Sequence, residues 1–163
     1  MLSFQLDALC ATDIGGLDAG DLFFLGGRAE LVLGVVLPRI GKDLRVVTLT
    51  GADAFKIKVE KPKGREVVPL KIERSRMRVR FDVGAAEAQA ERHQLGQLVI
   101  CQGVGVGICV TYSDLDPDAY RHVVMLKDWD VDVIGRHVLA VGTWSLSYID
   151  EAGLAVDLFT RVA

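Results

Sequence analysis

Residues 22–37 read LFFLGGRAELVLGVVL, two apolar runs on either side of the glycine pair Gly26-Gly27. Both glycines can adopt the positive φ that a two-residue hairpin turn requires. Apolar and charged residues then alternate in FKIKVE at residues 55–60 and in MRVRF at residues 77–81. A period of two is typical of strands with one buried face, so this part of the chain predicts a hairpin within a larger sheet.

The same pattern continues along the chain and predicts about ten strands, without repeats or linkers. We therefore expect a single mainly β domain over residues 1–163, a β-sandwich or a barrel. A second hairpin is predicted near residues 150–153, where Gly153 suits the left-handed position of a turn. Residues 85–95, AAEAQAERHQL, are the exception: they contain no β-branched residue and precede Gly96, which predicts one short α-helix.

Composition removes several classes of function. Half of the residues are hydrophobic, a quarter are charged and the formal net charge is −3, which excludes a disordered chain and a general nucleic-acid binder. No stretch is apolar for the roughly 18 residues of a spanning helix, and residues 1–20 lack the features of a signal peptide. Three cysteines, an odd number, fit a reducing compartment. We expect no membrane insertion, and a location in the cytoplasm or within an assembled particle.

Two stripes of opposite charge alternate with apolar residues and are the most specific feature of the sequence. Their members are Arg76, Arg78 and Arg80 in one stripe and Asp128, Asp130 and Asp132 in the other. One antiparallel register pairs all three arginines with all three aspartates. The stripes could form an ion ladder within one chain, at about 0.2–1 kcal/mol per pair. They could instead join two subunits, or hold an anion on the arginines or a metal on the aspartates.

A glycine-rich stretch, LVICQGVGVGICV at residues 98–110, allows two interpretations. As one strand, it places its glycines and cysteines on one face and leaves a groove for a close approach. As a hairpin centred on Gly105, it makes Cys101 and Cys109 cross-strand neighbours. The alternation around both tryptophans favours core packing, but they could also line a pocket with the glycines. The candidate pocket residues are Gly103, Gly105, Gly107, Trp129 and Trp144.

No catalytic constellation is visible in the sequence. The histidines are scattered, no nucleophile elbow occurs, and the glycine spacing lacks the dinucleotide fingerprint. Asp114, Asp116 and Asp118 lack the glycine and the glutamate that a calcium loop needs. We predict no catalytic residue, no metal and no cofactor, and an enzyme is the less favoured interpretation.

Residues 14–25, IGGLDAGDLFFL, resemble the beginning of the small β domains of secretion and flagellar ring proteins. The resemblance rests on a leucine, two residues, Gly-Asp and then a strand, and it covers about a dozen residues. It implies an assembly protein.

The expected function is a non-catalytic structural or assembly protein that self-associates into a homo-oligomer. Components of phage tails, capsids and secretion rings are of this type, and other assembly proteins would be further partners. The alternative is a small-molecule-binding or enzymatic β-barrel with its pocket at residues 103–107. The two differ in whether the apolar surface forms subunit contacts or a concave cavity.

Overall fold

The computed structural model describes residues 10–26, 31–88, 93–112, 122–134 and 138–163. Within them, short strands separated by turns account for most of the chain and make it mainly β, in a sandwich-like arrangement of two sheets. The strands are β1 (Thr12–Asp13), β2 (Leu22–Gly26), β3 (Leu31–Ile40), β4 (Asp43–Thr48), β5 (Lys56–Glu60), β6 (Glu66–Leu70), β7 (Met77–Phe81), β8 (Glu87–Ala88), β9 (Leu98–Cys101), β10 (Gly105–Tyr112), β11 (His122–Met125), β12 (Val131–Val133), β13 (Val138–Val141), β14 (Trp144–Ile149) and β15 (Ala155–Arg161). The 3-10 helices are Ile14–Gly16, Arg74–Arg76 and Val83–Ala85.

The larger sheet has twelve strands in the order β1-β6-β2-β3-β4-β5-β10-β9-β13-β8, with β11 and β12 continuing from β10. Its pairs are antiparallel except for β5 and β10, which run parallel. The smaller sheet has the order β15-β14-β7. β7 and β12 each pair with a single strand of the described residues, so both lie at a sheet edge.

The predicted hairpins form, but the first has a different register. A two-residue turn at Gly26-Gly27 would pair Leu25 with Arg28, whereas the structure pairs Leu25 with Val32. A shift by an even number of residues leaves the same face buried, which is why alternation alone could not detect it. The second hairpin, β14 and β15, is confirmed, and Gly153 has the expected positive φ of 80°.

The predicted helix at residues 85–95 is wrong. No helix of seven or more residues occurs in the part of the chain that the structure describes, and Glu87–Ala88 form β8 instead, paired with β13. An isolated helix of this length is marginal in water even with favourable residues. Its alanine-rich face would bury little surface, whereas pairing with β13 satisfies backbone groups at the sheet edge. Residues 89–92 lie outside the described residues.

The principal hydrophobic cluster lies between the two sheets. Trp144 and Leu146 of the smaller sheet pack there with residues of the larger one. The Trp144 indole nitrogen donates a hydrogen bond of 2.8 Å to the carbonyl of Gly96, and its ring meets Phe159 edge to face at 5.2 Å. This cluster holds the smaller sheet against one face of the larger.

The opposite face of the larger sheet carries two further clusters. One of them, which we call the second cluster, comprises Ile14, Leu17, Phe23, Val36, Leu44, Val46 and Val67. The other, the third cluster, comprises Val99, Cys109, Val123, Met125 and Ala140. Apolar residues therefore occupy both faces of the larger sheet. No helix among the described residues is long and apolar enough to cross a membrane.

Candidate functional site

The two charge stripes are shorter than the sequence predicts. Arg78 and Arg80 are exposed on β7, but Arg76 belongs to a 3-10 helix and donates through Nε to the carbonyl of Ile149 at 2.7 Å. Asp132 is exposed on β12, and Asp130 directly precedes this strand.

Asp128 lies in the turn between β11 and β12. The chain turns there because Trp129, with a φ of 60°, directs its side chain into the principal cluster. Asp128 is therefore not aligned with Asp130 and Asp132 along one strand.

The two stripes do not face each other across one pair of strands in this chain. β7 pairs with β14, and β12 pairs with β11. No ion pair joins the two stripes among the described residues. The prediction of an ion ladder within one chain is therefore wrong, because β7 and β12 belong to different sheets. The contact between subunits stays a prediction.

The charged groups of the stripes contact nearby backbone instead. The carboxylates of Asp130 and Asp132 accept hydrogen bonds from the backbone N–H groups of Val131 and Val133, at 2.9 and 2.8 Å. The Arg78 guanidinium donates to the carbonyl of Met77 at 2.7 Å. These bonds satisfy backbone groups at the edge strands β7 and β12.

The glycine-rich stretch forms a hairpin, centred on Gly103 rather than Gly105. β9 and β10 pair so that Cys101 lies opposite Gly105, and Gly103 has a φ of 75° in the turn. The backbone N–H of Cys109 donates to the carbonyl of Gln97. Cys101 and Cys109 are therefore not cross-strand neighbours, and neither forms a disulfide.

The five candidate pocket residues are not brought together. A methyl group at Gly107 would lie 2.3 Å from Cγ2 of Val123, so β11 fills the groove above this glycine, on the side of the third cluster. Gly103 is exposed. Both tryptophans are buried in the principal cluster on the other face, as core packing predicts. The pocket at residues 103–107 is thus replaced by ordinary strand packing.

A cavity of about 220 Å³ lies on the face of the larger sheet that carries the second cluster. We call it the β4–β5 recess, because the connection between these strands forms its lip. Its apolar side is formed by Phe23, Leu25, Val32 and Val46, and its charged side by Asp53, Lys58, Glu60 and Arg65. A larger depression of about 530 Å³ beside Cys10 has only Asp21 and Lys71 as charged lining residues.

Charged groups of the recess contact one another. Lys58 Nζ lies 2.6 Å from Oδ2 of Asp53, Lys56 Nζ lies 3.2 Å from Oδ1 of the same carboxylate, and Arg65 pairs with Glu60. Hydrogen bonds from Lys58 and then Lys56 lower the pKa of the Asp53 carboxyl below its ordinary value. Asp53 is therefore a carboxylate at neutral pH, with an ammonium on each oxygen.

The lip of the recess is held by side-chain contacts with its backbone. Thr48 Oγ1 donates to the carbonyl of Asp53 at 2.7 Å, and Thr50 Oγ1 accepts from the N–H of Leu33 at 2.8 Å. Phe55 ends the lip with a φ of 64°, a conformation rare for a bulky residue. The strain is tolerated because the Phe55 ring is buried in the principal cluster.

Sequence reasoning missed this recess, although one signal was present. Alternation in β5 indicates a charged face, which is usually solvated. What the pattern could not show is that Asp53 and Arg65, outside the strand, return to that face and complete a wall.

Among the described residues, no group of three or more His, Cys, Asp or Glu side chains could hold a metal ion. Asp114, Asp116 and Asp118 lie outside the described residues. No family model, no curated protein and no solved structure matches the chain.

Proposed function

We propose that this chain is a non-catalytic assembly component that self-associates into a homo-oligomer, as components of phage tails, capsids and secretion rings do. One observation carries the proposal. Arg78 and Arg80 are exposed on the edge strand β7, and Asp130 and Asp132 are exposed at the edge strand β12 of the other sheet; among the described residues no ion pair joins the two groups. A second copy can supply the opposite stripe.

The geometry of the edge strands favours one register for this contact. If β7 of one copy lies antiparallel to β12 of the next, Arg78 meets Asp132 and Arg80 meets Asp130. This register is two residues away from the one that the sequence predicts, because Asp128 and Arg76 lie outside the strands. It also covers Val133, which is 67% exposed, with the surface around Met77.

Such a contact joins two different surfaces, so it closes into a ring or continues as a filament. Exposed ion pairs contribute roughly 0–1 kcal/mol each and are screened by salt. The assembly is therefore expected to loosen as ionic strength rises.

The native mass, measured by light scattering on a sizing column, tests the proposal. We expect a defined oligomer at low salt that dissociates at about 1 M salt, where charges are screened within roughly 3 Å. Arg78→Asp with Arg80→Asp should dissociate it, as should Asp130→Arg with Asp132→Arg. A mixture of these two variants should assemble again, since each now carries the stripe that the other lacks.

Lys42→Asp with Lys61→Asp is the matched control for the arginine variant, because it lowers the net charge by the same amount at exposed positions away from both stripes. It should assemble like the wild type. A wild-type monomer at both salt concentrations, or dissociation of the control to the same extent, overturns the proposal.

A further inference from the structure

We propose that the β4–β5 recess binds a small monocarboxylate with a short apolar chain. This inference is independent of self-association, because the recess lies on β2 to β5 and the β4–β5 connection, whereas the proposed contact between copies lies at β7 and β12.

The size and apolar side of the recess set the length of the ligand. Its volume of about 220 Å³ corresponds to roughly seven water molecules at about 30 Å³ each. Leu25 and Val32 present partly buried side chains to it, above the buried Phe23. A ligand of about eight non-hydrogen atoms with an apolar tail, such as hexanoate, matches this space.

The charges select an anion. Asp53 has two ammonium groups on one carboxylate, and Lys56 alone is sufficient to neutralise it. Glu60 is already paired with Arg65. The two lysines and Arg65 therefore outnumber the two carboxylates by one positive charge. Lys58 is the lysine that lines the recess, and its side chain is 30% exposed. Its ammonium can bond a ligand carboxylate while Asp53 keeps the hydrogen bond from Lys56.

The recess also requires little reorganisation to bind. Thr48 and Thr50 hold the lip through bonds to Asp53 and Leu33, and the left-handed Phe55 anchors its end in the core. A cavity with polar groups already in position loses less conformational entropy on binding.

Isothermal titration calorimetry of the whole chain with hexanoate tests the inference, with hexylamine as the cationic ligand of equal length. We expect hexanoate to bind and hexylamine not to bind. Lys58→Gln should weaken hexanoate by roughly tenfold or more, the usual effect of losing a charged hydrogen bond. Lys61→Gln, an exposed lysine just beyond β5, should leave binding unchanged.

Two further variants separate binding from folding. Ala52→Trp adds bulk at an exposed position of the lip and should abolish binding without changing any charge. Asp53→Asn removes a competing carboxylate and should strengthen hexanoate binding. The inference is overturned if hexanoate does not bind, if hexylamine binds equally well, or if Lys58→Gln and Ala52→Trp both bind hexanoate like the wild type.

Discussion

The stripes and the recess contain the same kinds of residues, arranged with the same alternation, yet their side chains do different things. Asp130, Asp132 and Arg78 bond to backbone groups of their own strand edges. Asp53 and Lys58 bond to each other at the wall of a cavity. The difference arises from what lies beside the strand: an open edge in one case, a folded-back connection in the other. A charged stripe therefore has no functional meaning until its neighbours are known.

The largest loss of stability is expected from substitution of Trp129, the core residue between Asp128 and Asp130 of the aspartate stripe. Trp129 is 2% exposed in the principal cluster. Its side chain lies so close to Gly20 that a methyl group added at Gly20 would be 2.9 Å from the indole. Trp129→Ala should lower the free energy of unfolding by about 3–5 kcal/mol, the usual cost of removing a buried aromatic side chain. Chemical denaturation measures it.

The neighbouring Asp130→Ala is the control for this variant. It removes only an exposed bond to the Val131 N–H and should lower the free energy of unfolding by less than about 1 kcal/mol. Equal effects of the two variants would show that the turn is not held by the tryptophan.

A smaller loss of stability is expected from substitution of Gly34, which lies beneath the recess. The Phe23 ring lies over Gly34, and a methyl group there would lie 2.5 Å from Cζ of Phe23. Because Phe23 is buried, Gly34→Ala should destabilise the protein by about 1–3 kcal/mol through overpacking. Gly26→Ala on the paired strand has open space around the new methyl group and should be close to neutral. Urea denaturation of both variants compares them, and a neutral Gly34→Ala would contradict the close contact.

The smallest change in stability is expected from the charged groups of the recess, and it depends on pH. The pKa of Asp53 is lowered in the folded protein by hydrogen bonds from Lys58 and Lys56. As the pH falls, the unfolded chain takes up the proton first, so this contribution to stability is present above about pH 4 and is lost below it. Asp53→Asn should therefore lower the melting temperature at pH 7, and the difference from wild type should shrink toward pH 2.5.

Lys58→Gln provides the control for this comparison, because it removes the largest of the interactions that lower the Asp53 pKa. In the Lys58→Gln variant, Asp53→Asn should lower the melting temperature at pH 7 by less than it does in the wild type. A difference between wild type and Asp53→Asn that is constant from pH 7 to pH 2.5 would contradict the role assigned to the two lysines.

Particular residues show how far the sequence could predict the fold. The alternation in residues 55–60 predicts β5 and its charged face, and the turn at Gly153 predicts the β14–β15 hairpin, both of which the structure contains. Residues 85–95 mislead because helix propensity is weaker than the pairing of β8 with β13. Alternation predicted that Gly26-Gly27 lies near a hairpin but not its register, because registers that differ by an even number of residues bury the same face.

The candidate sites, like the fold, could be predicted from the sequence only in part. The sequence alone determined the mainly β class, which side of each alternating strand is apolar, and the presence of two opposite stripes. These properties follow from local residue order and the period of a strand. Tertiary structure decided that the arginine and aspartate stripes lie on different sheets, that the glycine groove is filled by β11, and that Asp53 and Arg65 return to the face of β5. These contacts join residues distant in sequence, and only the packing of strands and connections brings them together.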